Sequence, residues 1–187
     1  LFARVEHRVS GVVRRMLDLG FPVDSYQASR KTKESLTTKL LSQRKDTAAQ
    51  VFDRIRFRII TTNRAGILPV LFYLKRHLLP FPFVVPGESA NSIASVSDLF
   101  DEAFGVSLEG AEDQLETMGN NPFSPEDFRV VSLFCDSPVR VDDLADPASR
   151  RLVTKFGHMV LIPTEFQIFD KASYFLNESG PAAHELY

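Results

Sequence analysis

Residues 55–62 read Ile-Arg-Phe-Arg-Ile-Ile-Thr-Thr, and their pattern decides the fold class. Ile55, Phe57 and Ile59 alternate with Arg56, Arg58 and Ile60, the period of a strand with one apolar face and one largely basic face. Residues 64–79 follow with helical spacing, Pro69 lying early in the helix or kinking it. Residues 81–85 are a short strand candidate closed by Pro86-Gly87. Strand, helix and strand in that order point to an α/β or α+β layer. Toward the N-terminus, Val5, Val9, Val12, Val13 and Met16 make residues 1–19 a helix, ended by Gly20 and Pro22. Residues 26–41 carry only a weak helical pattern, and 46–53 a further helix. Toward the C-terminus, residues 128–136, continuing into 139–141, and 158–169 are strong strand candidates. A helix begins near Lys171 and turns near Gly180-Pro181. The expectation is one α+β (α/β) domain over residues 1–187, a mixed sheet of about five strands flanked by helices.

Charge is unevenly spread. The chain of 187 residues has a formal net charge of −2, which taken alone argues against a general nucleic-acid binder; sequence-specific DNA is not an expected partner either. Residues 1–64 carry 14 Lys/Arg against 6 Asp/Glu, whereas residues 65–187 carry 8 against 18. Ten of those acidic residues lie between 88 and 127, where there is no Lys or Arg. That stretch therefore reads as a polar, acidic excursion: a solvated loop with one or two short helices, one near 96–104, or else a lid or docking surface. The single Cys135 excludes an internal disulfide and suits a reducing compartment, with the cytoplasm as the default expectation. No apolar run is long enough to cross a membrane. The absence of Met at position 1 suggests a piece of a longer protein.

Familiar catalytic signatures are missing: no glycine-rich phosphate loop, no GxSxG turn, no paired histidine spacing. More informative are the carboxylates set on or beside strands. Asp53 sits where a helix hands over to the 55–62 strand. Glu165 and Gln167, two apart, share one face of the late strand. A half-buried carboxylate must be paired or hold a cation. If the two strands are neighbours, Asp53 and Glu165 can share a divalent metal with Arg56 or Arg58 facing phosphates; the alternative is an ordinary Arg58–Glu165 cross-strand ion pair.

The stretch 165–187, EFQIFDKASYFLNESGPAAHELY, resembles the closing motif of RelA/SpoT-type (p)ppGpp synthetase domains, in which a V-E-I-Q-I-R-T strand precedes a helix ending in G-x-A-A-H-x-x-Y. Glu165, Gln167 and Ile168 match the strand; Gly180, Ala182, Ala183, His184 and Tyr187 match the helix end without a gap. Upstream, residues 52–60 (FDRIRFRII) are similar to the family's D-x-x-x-x-R strand, placing Asp53 on its metal-binding aspartate and Arg58 on its arginine. Lys31, Ser35 and Lys39 fit its K-x-x-x-S-x-x-x-K spacing. The departures are specific. The arginine expected two residues before Lys31 is Ser29, with Arg30 adjacent, and Arg-Thr after the glutamine strand is Phe169-Asp170. The acceptor motif N-G-Y-x-S-x-H falls either on residues 91–97, losing its aromatic and histidine, or on Phe128-Arg129, the preferred placement, which keeps an aromatic and implies that residues 87–127 are an acidic insertion within the domain.

The resemblance implies a nucleotidyltransferase-like RelA/SpoT synthetase fold and transfer of pyrophosphate from ATP to the 3′-hydroxyl of a purine (guanine) nucleotide or an RNA. It implies Mg²⁺, or Mn²⁺ in its place, held by Asp53 and Glu165, with Glu165 doubling as base. Arg30, Lys31, Lys39, Arg56 and Arg58 would meet phosphates, Ser35 and Gln167 would orient, and Phe128, Arg129 and His184 complete the expected nucleotide site. A catalytically weak nucleotide-binding or partner-docking domain is the alternative.

Overall fold

The computed structural model describes residues 1–30, 55–79, 85, 90–93, 98, 99, 102, 103, 129–141, 155 and 157–179. Helix α1 (Phe2–Asp18) leads into strand β1 (Val23–Arg30). Strand β2 (Ile55–Thr61) is followed by a 3₁₀ turn (Arg64–Gly66) and helix α2 (Ile67–His77). Strands β3 (Ala90–Asn91), β4 (Val131–Arg140) and β5 (Met159–Asp170) precede helix α3 (Lys171–Ser179). The five strands form one sheet in the order β1-β2-β5-β4-β3. β2 and β5 run parallel, and the other neighbours are antiparallel. The mixed five-stranded α+β architecture expected from the sequence is what forms.

The alternation in β2 sorts its side chains. Ile55, Phe57 and Ile59 are fully buried, while Arg56 and Arg58 stand half-buried on the other face. The apolar face meets α1 and α2 through Val5, Val9, Val13 and Met16 and through Ile67, Leu68, Val70 and Leu74. Phe57 lies against Phe166 of β5 with ring centroids 5.3 Å apart. Burying each of these side chains contributes about 1.5–3 kcal/mol. Helix α3 packs instead on the opposite face, where Ile60, Val130 and Phe169 form a second apolar cluster with Tyr174 against it. Pro69 occupies the first turn of α2, where a missing N–H costs nothing.

The end of α1 is fixed by hydrogen bonds. The Gly20 N–H donates to the Leu17 carbonyl at 3.0 Å and the Phe21 N–H to the Met16 carbonyl at 3.1 Å. This doubly bonded helix end needs a left-handed residue, and Gly20 has φ +77°. Helix α3 starts on Asp170, whose carboxylate accepts from the Ser173 backbone N–H at 3.0 Å and from the Ser173 hydroxyl at 2.5 Å. Asn177, 4% exposed, clips α3 to the start of β4. Its Oδ1 accepts from the Arg129 N–H at 3.0 Å and its Nδ2 donates to the Arg129 carbonyl at 2.8 Å.

Two readings are corrected. Residues 23–30 are a strand, not the start of a weakly helical segment. Along β1 only Val23 is buried, so an edge strand shows no apolar alternation and is held by its ladder to β2. The 87–127 stretch is not merely a solvated excursion. Ala90 and Asn91 pair with β4, Leu99 is 2% exposed in the core, and the Glu102 carboxylate is gripped by Arg64, with Nε 2.7 and 2.8 Å from its two oxygens. Asp98, Leu99, Glu102 and Ala103 are helical, within the helix expected near 96–104. The strand expected at 81–85 lies outside the described residues except Val85, whose N–H donates to the Phe134 carbonyl at 2.8 Å. The helix at 46–53 and the turn at Gly180-Pro181 also lie outside them.

Two glycines give opposite expectations. Gly20→Ala forces a side chain into the left-handed region and destabilises by about 1–2 kcal/mol. Gly11→Ala, in the middle of α1 with open space around its added Cβ, stabilises by about 0.5–1 kcal/mol. Denaturant midpoints of the two variants check the pair. Cys135 is 1% exposed, and burial pushes its thiol up to about 12. At pH 8 the native protein therefore resists maleimide labelling, whereas urea-unfolded protein labels within minutes.

Candidate active site

The face of the sheet opposite α1 and α2 gathers polar and charged side chains. Parallel pairing sets Arg56 beside Glu165 and Arg58 beside Gln167. Period-two alternation then sends all four side chains to the same side. Antiparallel pairing with β4 adds Ser132, opposite Gln167, and Phe134, opposite Glu165, on that face. From β1, Ser29 lies opposite Arg56 and Gln27 opposite Arg58. A polar strip crosses four strands, with α3 covering one end of it.

Glu165 is its centre. It is 4% exposed, so its carboxylate needs partners, and it has three. Arg56 Nε donates to Oε2 at 2.7 Å, Gln167 Nε2 to Oε1 at 2.7 Å and the Ser132 hydroxyl to Oε1 at 3.2 Å. Gln167 in turn accepts from Arg58 Nε at 3.1 Å. The other arm of Arg58 reaches Glu178 of α3, 3.3 Å away. The result is a chain from Glu178 through Arg58 and Gln167 to Glu165, closed by Arg56. The guanidinium side chains keep 23% and 22% of their surface in solvent, so both arginines can be approached from outside.

The two strands are neighbours, as the metal-pair reading required. The ion pair on them, however, is Arg56–Glu165; Arg58 meets Gln167 and Glu178 rather than Glu165. Parallel register explains the difference, because Arg58 is one ladder step beyond Glu165. Asp53, Lys31, Ser35, Lys39, Phe128 and His184 lie outside the described residues. No group of three His, Cys, Asp or Glu side chains suited to a metal occurs among the described residues. Glu165 alone of the two expected ligands can be placed, and both its oxygens already accept hydrogen bonds.

Arg30 is not with the others. Strand parity turns it to the α1 side, where Nε and Nη2 grip the two Glu6 oxygens at 2.6 and 2.5 Å and the guanidinium lies 5.8 Å above the Phe2 ring. This pairing holds the Glu6 carboxyl below the usual carboxylate range. Ser29, the position matching the family's arginine, is the one on the strip. Arg129 is described at the head of β4, its backbone clipped by Asn177 and its Nη1 3.4 Å from the Ser92 carbonyl. Phe169, at the place of the arginine in the family's Arg-Thr pair, is buried against Tyr174, with ring centroids 5.8 Å apart. The strip thus lacks a cation there. Asp170, at the place of the family's threonine, caps α3.

Sequence reasoning missed Ser132 and Glu178. Ser132 carried a usable signal, an even position in the 128–136 strand facing the same side as Glu165. Glu178 could be found only once α3 was seen to fold back over β2.

No family profile matches the chain, and no curated protein matches it in sequence. Its fold does have solved counterparts. Small alarmone synthetase 2 from Bacillus subtilis superposes with a TM-score of 0.60 over 100% of this chain and 73% of its own, at 17% identity. Small alarmone synthetase 1 from the same organism, bound to its product pppGpp, gives 0.57 over 92% and 70%, at 14% identity. A GTP pyrophosphokinase family protein from Streptococcus pneumoniae gives 0.53 over 93% and 68%, at 12%. This chain thus has the RelA/SpoT-like synthetase fold.

Proposed function

We propose that the domain is a nucleotide pyrophosphokinase, moving pyrophosphate from ATP to the 3′-hydroxyl of a guanine nucleotide or an RNA with Mg²⁺. The observation that carries this reading is the buried Glu165 carboxylate, held by three donors beside two solvent-accessible arginines on a synthetase fold. A scaffold gains little from burying such a group, because an apolar replacement is often as stable.

In the proposed reaction the acceptor 3′-oxygen attacks the β-phosphorus of ATP. The bond from that phosphorus to the α,β-bridging oxygen breaks, AMP leaves, and the hydroxyl proton passes to Glu165. Gln167 and Ser132 fix the Glu165 carboxylate, and Gln167 also ties it to Arg58. Arg56 and Arg58 would balance the charge spreading over the transferred oxygens. Lys31 and Lys39 would add positive charge, and Ser35 a hydrogen bond. A bound Mg²⁺ would draw negative charge from the donor phosphates. Asp53 and Glu165 are the residues proposed to hold it, which requires Arg56 to turn from Glu165 toward phosphate. Phe128, with Arg129 and His184, is proposed at the acceptor.

Two features favour a catalytically weak nucleotide-binding module instead: the buried Phe169 stands where the resembled motif has an arginine, and Arg56 occupies Glu165. Incubating the protein with γ-labelled ATP, Mg²⁺ and GDP, GTP or tRNA separates the readings. The enzyme predicts a labelled acceptor, lost at least 100-fold in Glu165→Gln. Nucleotide binding without transfer, unchanged by that substitution, establishes the module. Arg58→Gln is expected to lower transfer 10–100-fold; rates equal to the parent would remove Arg58 from the site.

A further inference from the structure

Helix α3 leans on the polar strip through one stripe of side chains. Lys171, Tyr174 and Glu178 stand at i, i+3 and i+7, the spacing of a single helical face. Lys171 Nζ donates to Asp24 Oδ1 at 2.6 Å, and the Tyr174 hydroxyl accepts from Gln27 Nε2 at 3.4 Å, both partners lying on β1. Glu178 Oε1 accepts from Arg58 Nη1 at 3.3 Å. Of the three, Glu178 alone meets a cation of the candidate active site, and no second partner for its carboxylate occurs among the described residues. This pair adds little to stability. The Glu178 side chain keeps 52% of its surface in solvent, and an ion pair so open to water contributes little. The helix is already fastened by the Asp170 cap and the Asn177 clip. What the contact changes is Arg58.

A guanidinium grips two phosphate oxygens along either of two edges, Nε with Nη2 or Nη1 with Nη2. In Arg58 the first edge has Nε bonded to Gln167, and the second has Nη1 bonded to Glu178. The two holds differ in kind. Gln167 is neutral and buried, so it fixes the guanidinium without opposing an anion. Glu178 is a carboxylate at the longer distance, half in water, which offsets the arginine's charge and repels a phosphate brought to it. We propose that Glu178 is an affinity-setting residue, holding Arg58 while the site is empty and releasing it for a phosphate to take the Nη1–Nη2 edge. Nucleotide binding then exchanges one anion for another on the same arginine, while Gln167 keeps that side chain in place. The carboxylate thereby lowers the affinity of the strip for phosphate-bearing ligands, substrate and product alike. The inference rests on the proposed nucleotide site but not on the transfer reaction.

Calorimetric titration of the whole chain with a non-hydrolysable ATP analogue and Mg²⁺ tests it. Glu178→Gln and Glu178→Ala are each expected to tighten the analogue about 2–5-fold, the scale of an exposed charge pair. In an Arg58→Gln background the gain should be lost, because the carboxylate then has no arginine to occupy. Lys171→Gln, which breaks the other charged contact of α3, should not tighten the analogue. Glu178→Gln is nearly isosteric and keeps an acceptor, so it decides the matter even where truncation to alanine unsettles α3. Binding by Glu178→Gln that equals the parent's or is weaker overturns the inference. So does a gain of the same size in the Arg58→Gln background or in Lys171→Gln. Those results leave the nucleotide site standing, whereas failure of the parent and every variant to bind the analogue removes the site and this inference together.

Discussion

The parallel register of β2 against β5 is the constraint on which the candidate site depends. It places Arg56 opposite Glu165 and Arg58 opposite Gln167, so four side chains that interact chemically need no loop to bring them together. A slip of one residue would send Glu165 into the core between Phe57 and α1 and turn Phe166 to water. That slip is opposed by the buried ring contact of Phe57 with Phe166. The same register that builds the core therefore aims the polar groups.

Burial gives the strip its rigidity. Glu165 is almost wholly out of water, and losing any one of Arg56, Gln167 or Ser132 would leave a buried oxygen short of a donor. Arg58 is held from two sides, by Gln167 and by Glu178 of α3. Helix α3 is itself fastened by the Asp170 cap and the Asn177 clip. The C-terminal helix thereby helps set the position of an arginine on a strand more than 100 residues earlier.

Much of this was legible because the decisive strands advertise themselves. The Ile55–Arg58 alternation and the Glu165/Gln167 spacing each fixed a face without knowledge of the partner strand. The identity of the ion pair was not legible, since register sets whether Glu165 meets Arg56 or Arg58, and register is a property of the whole sheet. β1 was missed for a different reason: it is a polar edge strand, and its evidence lies in backbone pairing, which leaves no side-chain pattern. Arg30 misled for the same cause, because only knowing β1 to be a strand reveals that consecutive residues Ser29 and Arg30 face opposite sides. The buried Leu99 within an acidic stretch shows that charge composition describes a segment's surface and not its attachment.

The most direct test of the central claim is a crystal structure of the protein with Mg²⁺ and a non-hydrolysable ATP analogue. The account predicts triphosphate on the β2–β5 strip, within hydrogen-bonding distance of Arg56 or Arg58, with Arg56 withdrawn from Glu165. An analogue bound away from this face, with the Arg56–Glu165 pair intact, would contradict it.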